Sequence, residues 1–299
     1  MNIAIIGAGG YIGKNIFHYL KNAKKFTITC YGKYTDNDFF EDQYYYLDLN
    51  KKDMINKIDW PRFDRILYLA GYNSPALSFE KIYDYFTINC LAVSTILLKI
   101  ANHATEFIYI STRLVYNEKD NYAYESIREN ETTHFLTPYA ISKFAAEEVI
   151  RTYSNYYNIK SAVFRLCVPY GNLIKGPVDF SYGTMGMFIK NARSGKNIVL
   201  YGNGDQMRTF THIEFLCKSL VNKIKDKFDV YNLPGEKHSL KKVASIIAAK
   251  YKVEIDFVDW PKESLLLESG NTIFNDEKYY TTFSHKYDYS IETYYTKNE

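Results

Sequence analysis

A tyrosine and a lysine, Tyr139 and Lys143, stand four residues apart in the segment YAISK. On a helix this spacing places both side chains on one face. A lysine ammonium close to a phenol favours the phenolate and lowers the phenol pKa from about 10, so the phenol can exchange a proton with a hydroxyl or carbonyl near neutral pH. Pro138, directly before the pair, fits the first turn of a helix. Because the chain contains 30 tyrosines, such a pair also arises by chance and does not define a site alone.

A glycine-rich turn near the start of the chain has the spacing GxxGxxG. It lies between an apolar run over 2–6, which predicts a strand, and a segment over 11–20 with helical periodicity. Glycines let the backbone turn sharply and approach a pyrophosphate closely, and the start of the following helix favours an anion. This context predicts a dinucleotide site. Its expected cofactor-binding residues are Gly7, Gly10, Tyr11, Ile12 and Gly13.

The segment ISTRLVY over 110–116 ends a predicted buried strand upstream of the tyrosine–lysine pair. The Thr112 hydroxyl could hydrogen-bond the same reacting oxygen as the Tyr139 phenol, although an ordinary threonine at a strand end would look the same. The glycine turn, the hydroxyl and the YxxxK pair resemble, in order and spacing, the motifs of extended short-chain dehydrogenases/reductases, and this resemblance favours one shared site over three coincidences. We therefore expect Thr112, Tyr139 and Lys143 to be the catalytic residues.

Composition narrows the class of protein. The 299 residues are 46% hydrophobic and 24% charged, with a formal net charge of +3, which suits a globular enzyme with a large core. The chain has no long run of like charges, so a nucleic-acid partner is not expected. No stretch approaches the roughly 20 apolar residues that span a bilayer, so a membrane is not expected as a partner either. The four cysteines and six histidines lack ligand spacing, so we expect reduced cysteines, no metal and a cytoplasmic location without a signal peptide.

The elements that must position these residues alternate along the chain. Strands are predicted at 2–6, 26–31, 44–49, 65–70, 107–111 and 161–167, and helices at 11–20, 80–104 and 139–157. Further along the chain, strands are predicted at 198–201 and 230–233, and helices at 185–195, 215–225 and 240–250. This alternation predicts an α/β fold, a doubly wound parallel (Rossmann) sheet. We expect a dinucleotide-binding domain over 1–168, to which the chain returns at about 205–234. A smaller C-terminal substrate-binding lobe then comprises 169–204, including a loop over 171–184 that covers a pocket, and 235–299.

The three motifs together resemble the extended short-chain dehydrogenase/reductase family, the NAD-dependent epimerase/dehydratase-like enzymes that modify nucleotide-linked sugars. The resemblance covers most of the chain and implies further cofactor contacts. Asp48 would accept a hydrogen bond from the adenine amino group, and LAG at 69–71 would pass beside the phosphates and ribose. The additional cofactor residues that it implies are Asp48, Leu49, Leu69, Ala70, Gly71 and Asn89, together with Tyr139 and Lys143.

The resemblance also implies substrate contacts. The segment RLCVPYG over 165–171 resembles the stretch that closes over the nicotinamide, and YGNGDQMRTFT over 201–211 resembles a run whose arginine holds the nucleotide diphosphate. That arginine is Arg208, whose guanidinium suits phosphate oxygens, although a surface ion pair is the alternative. Ser111 and Arg113 are expected to contact the substrate beside Thr112.

Three departures from the family pattern narrow the reaction. Family dehydratases carry an acidic pair after the threonine, where this chain has Arg113 and Leu114, so dehydration is disfavoured. Val168 replaces the usual asparagine of the nicotinamide segment, which leaves the contacts to the sugar ring open. At the end of the second strand, where NAD-specific members place an acid for the ribose 2′-hydroxyl, this chain has Tyr31-Gly32-Lys33. Lys33 favours NADP, with NAD as the alternative because Asp36 and Asp38 could reach back.

The expected activity is reduction of a keto group on a nucleotide-linked deoxysugar, with hydride from NADPH and a proton from Tyr139. A nucleotide-sugar 4-epimerase with tightly bound NAD is the first alternative, and a non-catalytic NADP sensor is the second. Polysaccharide biosynthesis is the expected setting. The family resemblance implies a homodimer in which helices at about 80–103 and 138–157 pair into a four-helix bundle, although their apolar stripe would serve equally as core. That stripe is Ile88, Leu91 and Ile96.

Overall fold

The computed structural model describes residues 1–33, 37–116, 129, 135–174, 183–225, 227–267 and 270–297. Its strands are β1 (Asn2–Ile6), β2 (Thr27–Gly32), β3 (Tyr44–Tyr46), β4 (Arg65–Tyr68), β5 (Glu106–Thr112), β6 (Ser161–Leu166), β7 (Val168–Tyr170), β8 (Ile198–Tyr201), β9 (Met207–His212), β10 (Phe228–Asn232), β11 (Glu236–Ser239) and β12 (Ile255–Val258). Its α-helices are α1 (Tyr11–Ala23), α2 (Asn37–Phe40), α3 (Lys52–Asn56), α4 (Ile82–Phe86), α5 (Ala92–Lys99), α6 (Pro138–Tyr157), α7 (Gly183–Arg193), α8 (Ile213–Leu220), α9 (Leu240–Tyr251), α10 (Lys262–Leu266), α11 (Glu277–Thr282) and α12 (Ile291–Lys297).

A seven-stranded sheet forms the centre of the first structural unit, in the order β3-β2-β1-β4-β5-β6-β10. The pairs β1–β2, β2–β3, β1–β4 and β4–β5 are parallel. The strand order reverses between β1 and β4, and in such sheets a ligand binds beyond the carboxyl ends of the strands at this switch point. The predicted doubly wound α/β fold is confirmed.

The strands of this sheet are buried on both faces. Ile3, Ala4, Ile5 and Ile6 of β1 have no exposed surface, and every residue of β4 and β6 is buried. A sheet covered by helices on both sides requires such continuous apolar runs instead of alternation. Such continuous apolar runs are what predicted β1, β4 and β6 from the sequence.

The chain divides into two compact units. Unit 1 comprises Met1–Val115, Thr137–Arg165 and Cys217–Tyr231, and unit 2 comprises Tyr116–Leu136, Leu166–Leu216 and Asn232–Glu299. We expected the chain to return to the first domain at about 205–234. The returning stretch is shorter because β9 lies in unit 2, where it pairs with β11 and β7.

Unit 2 is built on short strands, of which the sequence pattern indicated β8 but not β7, β9, β11 or β12. The sheet β11-β9-β7 and the pair β12–β8 hold it together, and its apolar core includes Val168, Phe210 and Ile247. A helix was expected at 185–195 and one at 240–250, and α7 and α9 cover these segments. Much of the expected loop over 171–184 lies outside the described residues.

The long helix expected at 80–104 is interrupted. α4 ends at Phe86, a π-helical turn covers Thr87–Leu91, and α5 ends at Lys99. A π turn inserts a residue into the helical hydrogen-bonding pattern and is frequent at functional sites. Here it carries Asn89, one of the residues expected to contact the cofactor.

Candidate active site

The glycine-rich turn joins β1 to α1 at the carboxyl end of β1. Gly7 has a φ of +87°, and its N–H donates to the Tyr31 carbonyl oxygen at 2.8 Å, which ties the turn to the end of β2. A Cβ on Gly7 would lie 2.5 Å from the backbone nitrogen of Ala70, and a Cβ on Gly13 would overlap the Gly7 carbonyl oxygen. Both glycines are therefore required by the packing of the chain itself.

Gly10 has no such internal requirement. Its backbone is extended, with φ −79° and ψ 171°, a conformation open to any residue. A Cβ there would meet only the Gly7 carbonyl oxygen, at an ordinary distance of 3.4 Å. Gly10 is exposed and precedes Tyr11 and Ile12, the first residues of α1. The chain leaves room above Gly10 at a helix start, as close approach of a phosphate requires, so the turn fits a dinucleotide.

Leu69 and Ala70 follow β4 and run beside this turn. The Leu69 N–H donates to the Ile6 carbonyl oxygen at 2.9 Å, which continues the β1–β4 pairing beyond the strand end. The segment therefore lies at the switch point of the sheet, where the family resemblance placed it.

Tyr139 and Thr112 are brought together by α6 and β5. α6 begins at Pro138, and the Thr137 side chain caps it by accepting a hydrogen bond from the Ala140 N–H at 3.2 Å. This start places Tyr139 in the first turn, where its phenol is hydrogen-bonded to the Thr112 side chain at the end of β5. Two of the three expected catalytic residues are thus in direct contact.

Burial dominates the electrostatics of Tyr139. It raises the pKa of the phenol to about 12, while the hydrogen bond from Thr112 and the charge of Arg113 act in the opposite direction. The Tyr85 ring lies edge-on at 6.0 Å between centroids and adds to the rise. We expected Lys143 to lower this pKa, but desolvation is the largest effect, and the groups that act on the phenol are Thr112, Tyr85 and Arg113. Tyr139 is therefore a protonated phenol at neutral pH.

Lys143 lies one turn further along α6 and is also buried. Its Nζ donates to the Ile110 carbonyl oxygen at 2.6 Å and lies 4.0 Å from the centroid of the Tyr109 ring. Desolvation lowers the pKa of Lys143 to about 7, against the opposing charge of Glu147. Glu147 is itself held at 2.6 Å by Arg165 in a buried ion pair.

Asn89 completes a polar cluster beside Lys143. Its Nδ2 donates to the Ser142 Oγ at 2.9 Å, and a Cβ on Gly71 would lie only 2.8 Å from its Oδ1. The Oδ1 of Asn89 and the Oγ of Ser111 are buried without a hydrogen-bond partner among the described residues. Buried oxygens of this kind mark places where a ligand or water supplies the missing bond, so they fit a bound cofactor and substrate.

Asp48 and Lys33 form an ion pair at the far side of the turn. The Lys33 Nζ lies 3.4 Å from the Asp48 Oδ2, and the Asn50 N–H donates to the Asp48 Oδ1 at 3.1 Å. Desolvation acts to raise the pKa of Asp48, but Asn50 and Lys33 together hold it below its usual range. Leu49, next to Asp48, is buried in the core of unit 1. Asp36 and the Asp38 side chain lie outside the described residues.

Arg113 and Leu114 occupy the 3-10 turn that follows Thr112. The Leu114 N–H donates to the Thr112 Oγ at 3.3 Å, and the Arg113 charge acts on Tyr139. Neither side chain can supply the acid and base that removal of water from a sugar needs. The departure seen in the sequence therefore lies directly beside the Tyr139 phenol.

Arg208 lies in unit 2, on β9, and is 3% exposed. Its Nη1 donates to the Met207 carbonyl oxygen at 2.8 Å and also to that of Gly270. The surface ion pair that the sequence left open as an alternative does not describe a residue buried to this degree. Binding of a diphosphate by Arg208 stays a prediction.

Some residues of the site had no sequence signal of their own. The Tyr85 ring packs edge-on against Tyr139, and the Ser142 hydroxyl accepts a hydrogen bond from Asn89. Both contacts depend on how α4 and the π turn pack against α6. Ser142 stands inside the YAISK segment, so its position on the helix was visible but its partner was not. Within the described part of the chain, no group of three or more His, Cys, Asp or Glu side chains could hold a metal. No helix among those residues is long and apolar enough to cross a membrane.

The glycine turn at the switch point of a seven-stranded doubly wound sheet defines the class of Rossmann-like α/β proteins. Within that class the match is specific. The model of the NAD dependent epimerase/dehydratase family matches residues 3–233, and the chain belongs to this family, as the resemblance predicted.

Relatives and a solved structure agree with this assignment. A protein of Methanocaldococcus jannaschii provisionally named UDP-glucose 4-epimerase is 25% identical over 85% of this chain and 83% of its own length. A trifunctional UDP-glucose 4,6-dehydratase/UDP-4-keto-6-deoxy-D-glucose 3,5-epimerase/UDP-4-keto-L-rhamnose-reductase of Arabidopsis thaliana is 26% identical over 93% of this chain, which spans 43% of that protein. The UDP-glucuronic acid 4-epimerase of Bacillus cereus, solved with UDP-glucuronic acid and NAD, shares the fold with a TM-score of 0.79. It is 20% identical, over 99% of this chain and 96% of its own.

Proposed function

We propose that this chain reduces a keto group on a nucleotide-linked deoxysugar, with NADPH as the hydride donor and Tyr139 as the proton donor. The observation that carries the proposal is the buried Tyr139 phenol, hydrogen-bonded to Thr112 and protonated at neutral pH. A ketone that accepts hydride needs a proton on its oxygen, and a protonated phenol supplies it.

The proposed reaction balances with the residues of the site. When bound, the reduced dinucleotide would supply a hydride to the carbonyl carbon. Tyr139 donates its hydroxyl proton to the carbonyl oxygen, which leaves an alcohol, and is reprotonated from solvent. Thr112 hydrogen-bonds the same oxygen and orients it, and Lys143 binds the nicotinamide ribose with Asn89 beside it. Ser111, with its buried hydroxyl, contacts the sugar in this proposal.

A nucleotide-linked substrate is supported by the relatives, whose names refer to UDP-sugars. Arg208 keeps its expected role as the residue that holds the substrate diphosphate, and Arg113 contacts the sugar beside Tyr139. In this proposal the first unit binds the dinucleotide, and Arg208 of the second unit binds the substrate diphosphate. The dehydratase chemistry of some relatives is not proposed, because Arg113 and Leu114 replace the acidic pair that it uses.

NADP is the proposed cofactor because the end of β2 carries Lys33 and no carboxylate. Replacement of Lys33 by alanine should weaken NADPH binding about tenfold, the effect of losing one partly exposed lysine–phosphate contact. NADH binding should barely change, since it has no 2′-phosphate. Calorimetric titration of both dinucleotides checks this. Equal losses for NADPH and NADH would show instead that Lys33 acts by holding Asp48, its present partner.

The 4-epimerase is the second candidate, favoured by the activity named for the archaeal relative and by NAD in the Bacillus cereus structure. An epimerase regenerates its cofactor in each cycle and gains from retaining it, whereas a reductase must exchange it at every turnover. The dinucleotide that copurifies with the chain separates the two. NAD that survives gel filtration supports the epimerase, and a site that exchanges NADP freely supports the reductase.

A further inference from the structure

Gly32, the last residue of β2, has a steric reason to be glycine. A Cβ built on Gly32 would overlap the Tyr44 hydroxyl oxygen and would lie 3.1 Å from the Tyr44 Cζ. Gly32 is not among the glycines with positive φ, so its backbone conformation does not demand glycine. The neighbouring tyrosine alone excludes a side chain here.

The Tyr44 ring is held where it excludes that side chain. In the parallel pairing of β2 and β3, Tyr44 stands beside Cys30, and side chains two residues apart share a face of the sheet. The Tyr44 ring therefore extends along the strand towards Gly32. Tyr44 is buried, and its ring centroid lies 4.9 Å from that of Phe40, which in turn packs at 4.9 Å against Phe17 of α1. Rotation of the ring would disturb this aromatic cluster.

We propose that Tyr44 is a specificity-determining residue of the dinucleotide site, because its hydroxyl fills the space that a side chain at position 32 would need. The end of β2 is thereby kept without a carboxylate, and the ribose 2′ group is left to Lys33, the next residue. The cofactor part of this inference rests on the proposed function, whereas the steric part does not.

Charge explains why this exclusion sets the choice of cofactor. A carboxylate at the end of the second strand accepts hydrogen bonds from a ribose 2′-hydroxyl and repels a 2′-phosphate. A lysine at the same edge attracts the phosphate. By excluding a side chain at position 32, Tyr44 prevents a carboxylate there from opposing the attraction of Lys33 for the 2′-phosphate.

The steric claim is tested by thermal unfolding, without any cofactor. Gly32→Ala should lower the Tm by several degrees in the natural chain. In a Tyr44→Phe background the same change should cost little, because the nearest ring atom then lies 3.1 Å from the new Cβ and a small shift accommodates it. Equal losses of Tm in both backgrounds would overturn the claim.

The cofactor claim is tested by titration of NADPH and NADH into the Gly32→Asp/Tyr44→Phe variant, with Tyr44→Phe alone as the reference. The ratio of the two dissociation constants should move at least about tenfold towards NADH. Gly32→Asp alone should lose stability and bind both dinucleotides poorly. A stable Gly32→Asp variant that already prefers NADH would overturn the role of Tyr44. A natural chain that binds neither dinucleotide would overturn the cofactor claim and the proposed function together, and the unfolding experiment would still decide the steric claim.

Discussion

At the scale of single residues, burial pushes the two ionisable groups of the site in opposite directions. It raises the pKa of Tyr139 to about 12 and lowers the pKa of Lys143 to about 7. The raised pKa keeps Tyr139 protonated at neutral pH, the state that a proton donor needs, and it also makes the phenol a weaker acid than an exposed tyrosine. The spacing of Tyr139 and Lys143 identified them from the sequence. The direction of the Tyr139 pKa was predicted wrongly, because the degree of burial depends on tertiary packing.

The buried lysine should leave a signature in the pH dependence of stability. Its pKa is about 7 when folded, against an ordinary value of 10.5. Between these values the unfolded chain binds a proton that the folded chain does not, so this lysine makes stability rise with pH across that window, by up to about 1.4 kcal/mol per pH unit. Lys143→Met removes the titration. Its stability relative to the natural chain should therefore be highest below pH 7 and should fall as pH rises towards 10.5.

Urea denaturation of both proteins from about pH 6.5 to 9.5 measures this difference, because the interval begins just below the folded pKa of about 7 and stays below the ordinary value of 10.5. A difference in unfolding free energy that stays constant across the range would show that Lys143 keeps its proton in the folded chain. Loss of its hydrogen bond to the Ile110 carbonyl oxygen would shift the curves by a constant amount and would not change their relative slope.

At the scale of elements, the long apolar strands and amphipathic helices were predictable, and the interruptions were not. The strand at 2–6, the glycine turn and the helix that follows were found because three independent signals coincide there. The π turn that carries Asn89 was missed, since apolar periodicity over 80–104 does not report a local change of hydrogen bonding. The strands of unit 2 were missed where they are short and polar, as in β11, because they owe their form to pairing with β9.

The glycine turn offers a paired test at this scale. Gly10→Ser should fold with unchanged or higher stability, because serine is a good N-cap and the backbone there suits any residue. It should weaken dinucleotide binding about tenfold or more, since its side chain enters the space above the turn. Gly13→Ser is the matched control and should lose about 1–3 kcal/mol of stability through overpacking.

Thermal unfolding and dinucleotide titration of both variants separate these outcomes. If Gly10→Ser binds NADPH and NADH as the natural chain does, no phosphate approaches the turn at Gly10. That result would contradict the role of Gly10 in cofactor binding.

At the scale of the whole molecule, exposed apolar side chains on α5, α6 and the π turn offer a test of the expected homodimer. Of the apolar stripe expected there, Ile96 is core, Ile88 packs partly against the core, and Leu91 is exposed. Leu98 on α5 and Tyr156 on α6 are also exposed. Burial of such side chains favours association.

We predict a dimer by light scattering at micromolar concentration, and a monomer for the Leu91→Glu/Leu98→Glu variant. Leu265→Glu, the same change at similar exposure in the second unit, is the control and should leave the dimer intact. A monomeric natural chain, or dissociation caused equally by the control, would contradict a dimer through these helices.

The fate of the hydride tests the proposed reaction most directly. The chain would be incubated with a nucleotide-linked ketosugar and NADPH that carries deuterium at the transferable position of its nicotinamide. We predict that the product alcohol carries the deuterium and that NADPH is oxidised mole for mole. Tyr139→Phe should bind NADPH normally and lose turnover at least about 10²-fold. A chain that leaves the ketosugar and NADPH unchanged, but converts the corresponding nucleotide-linked hexose to its 4-epimer with NAD and without net oxidation or reduction, would contradict the reductase and support the epimerase.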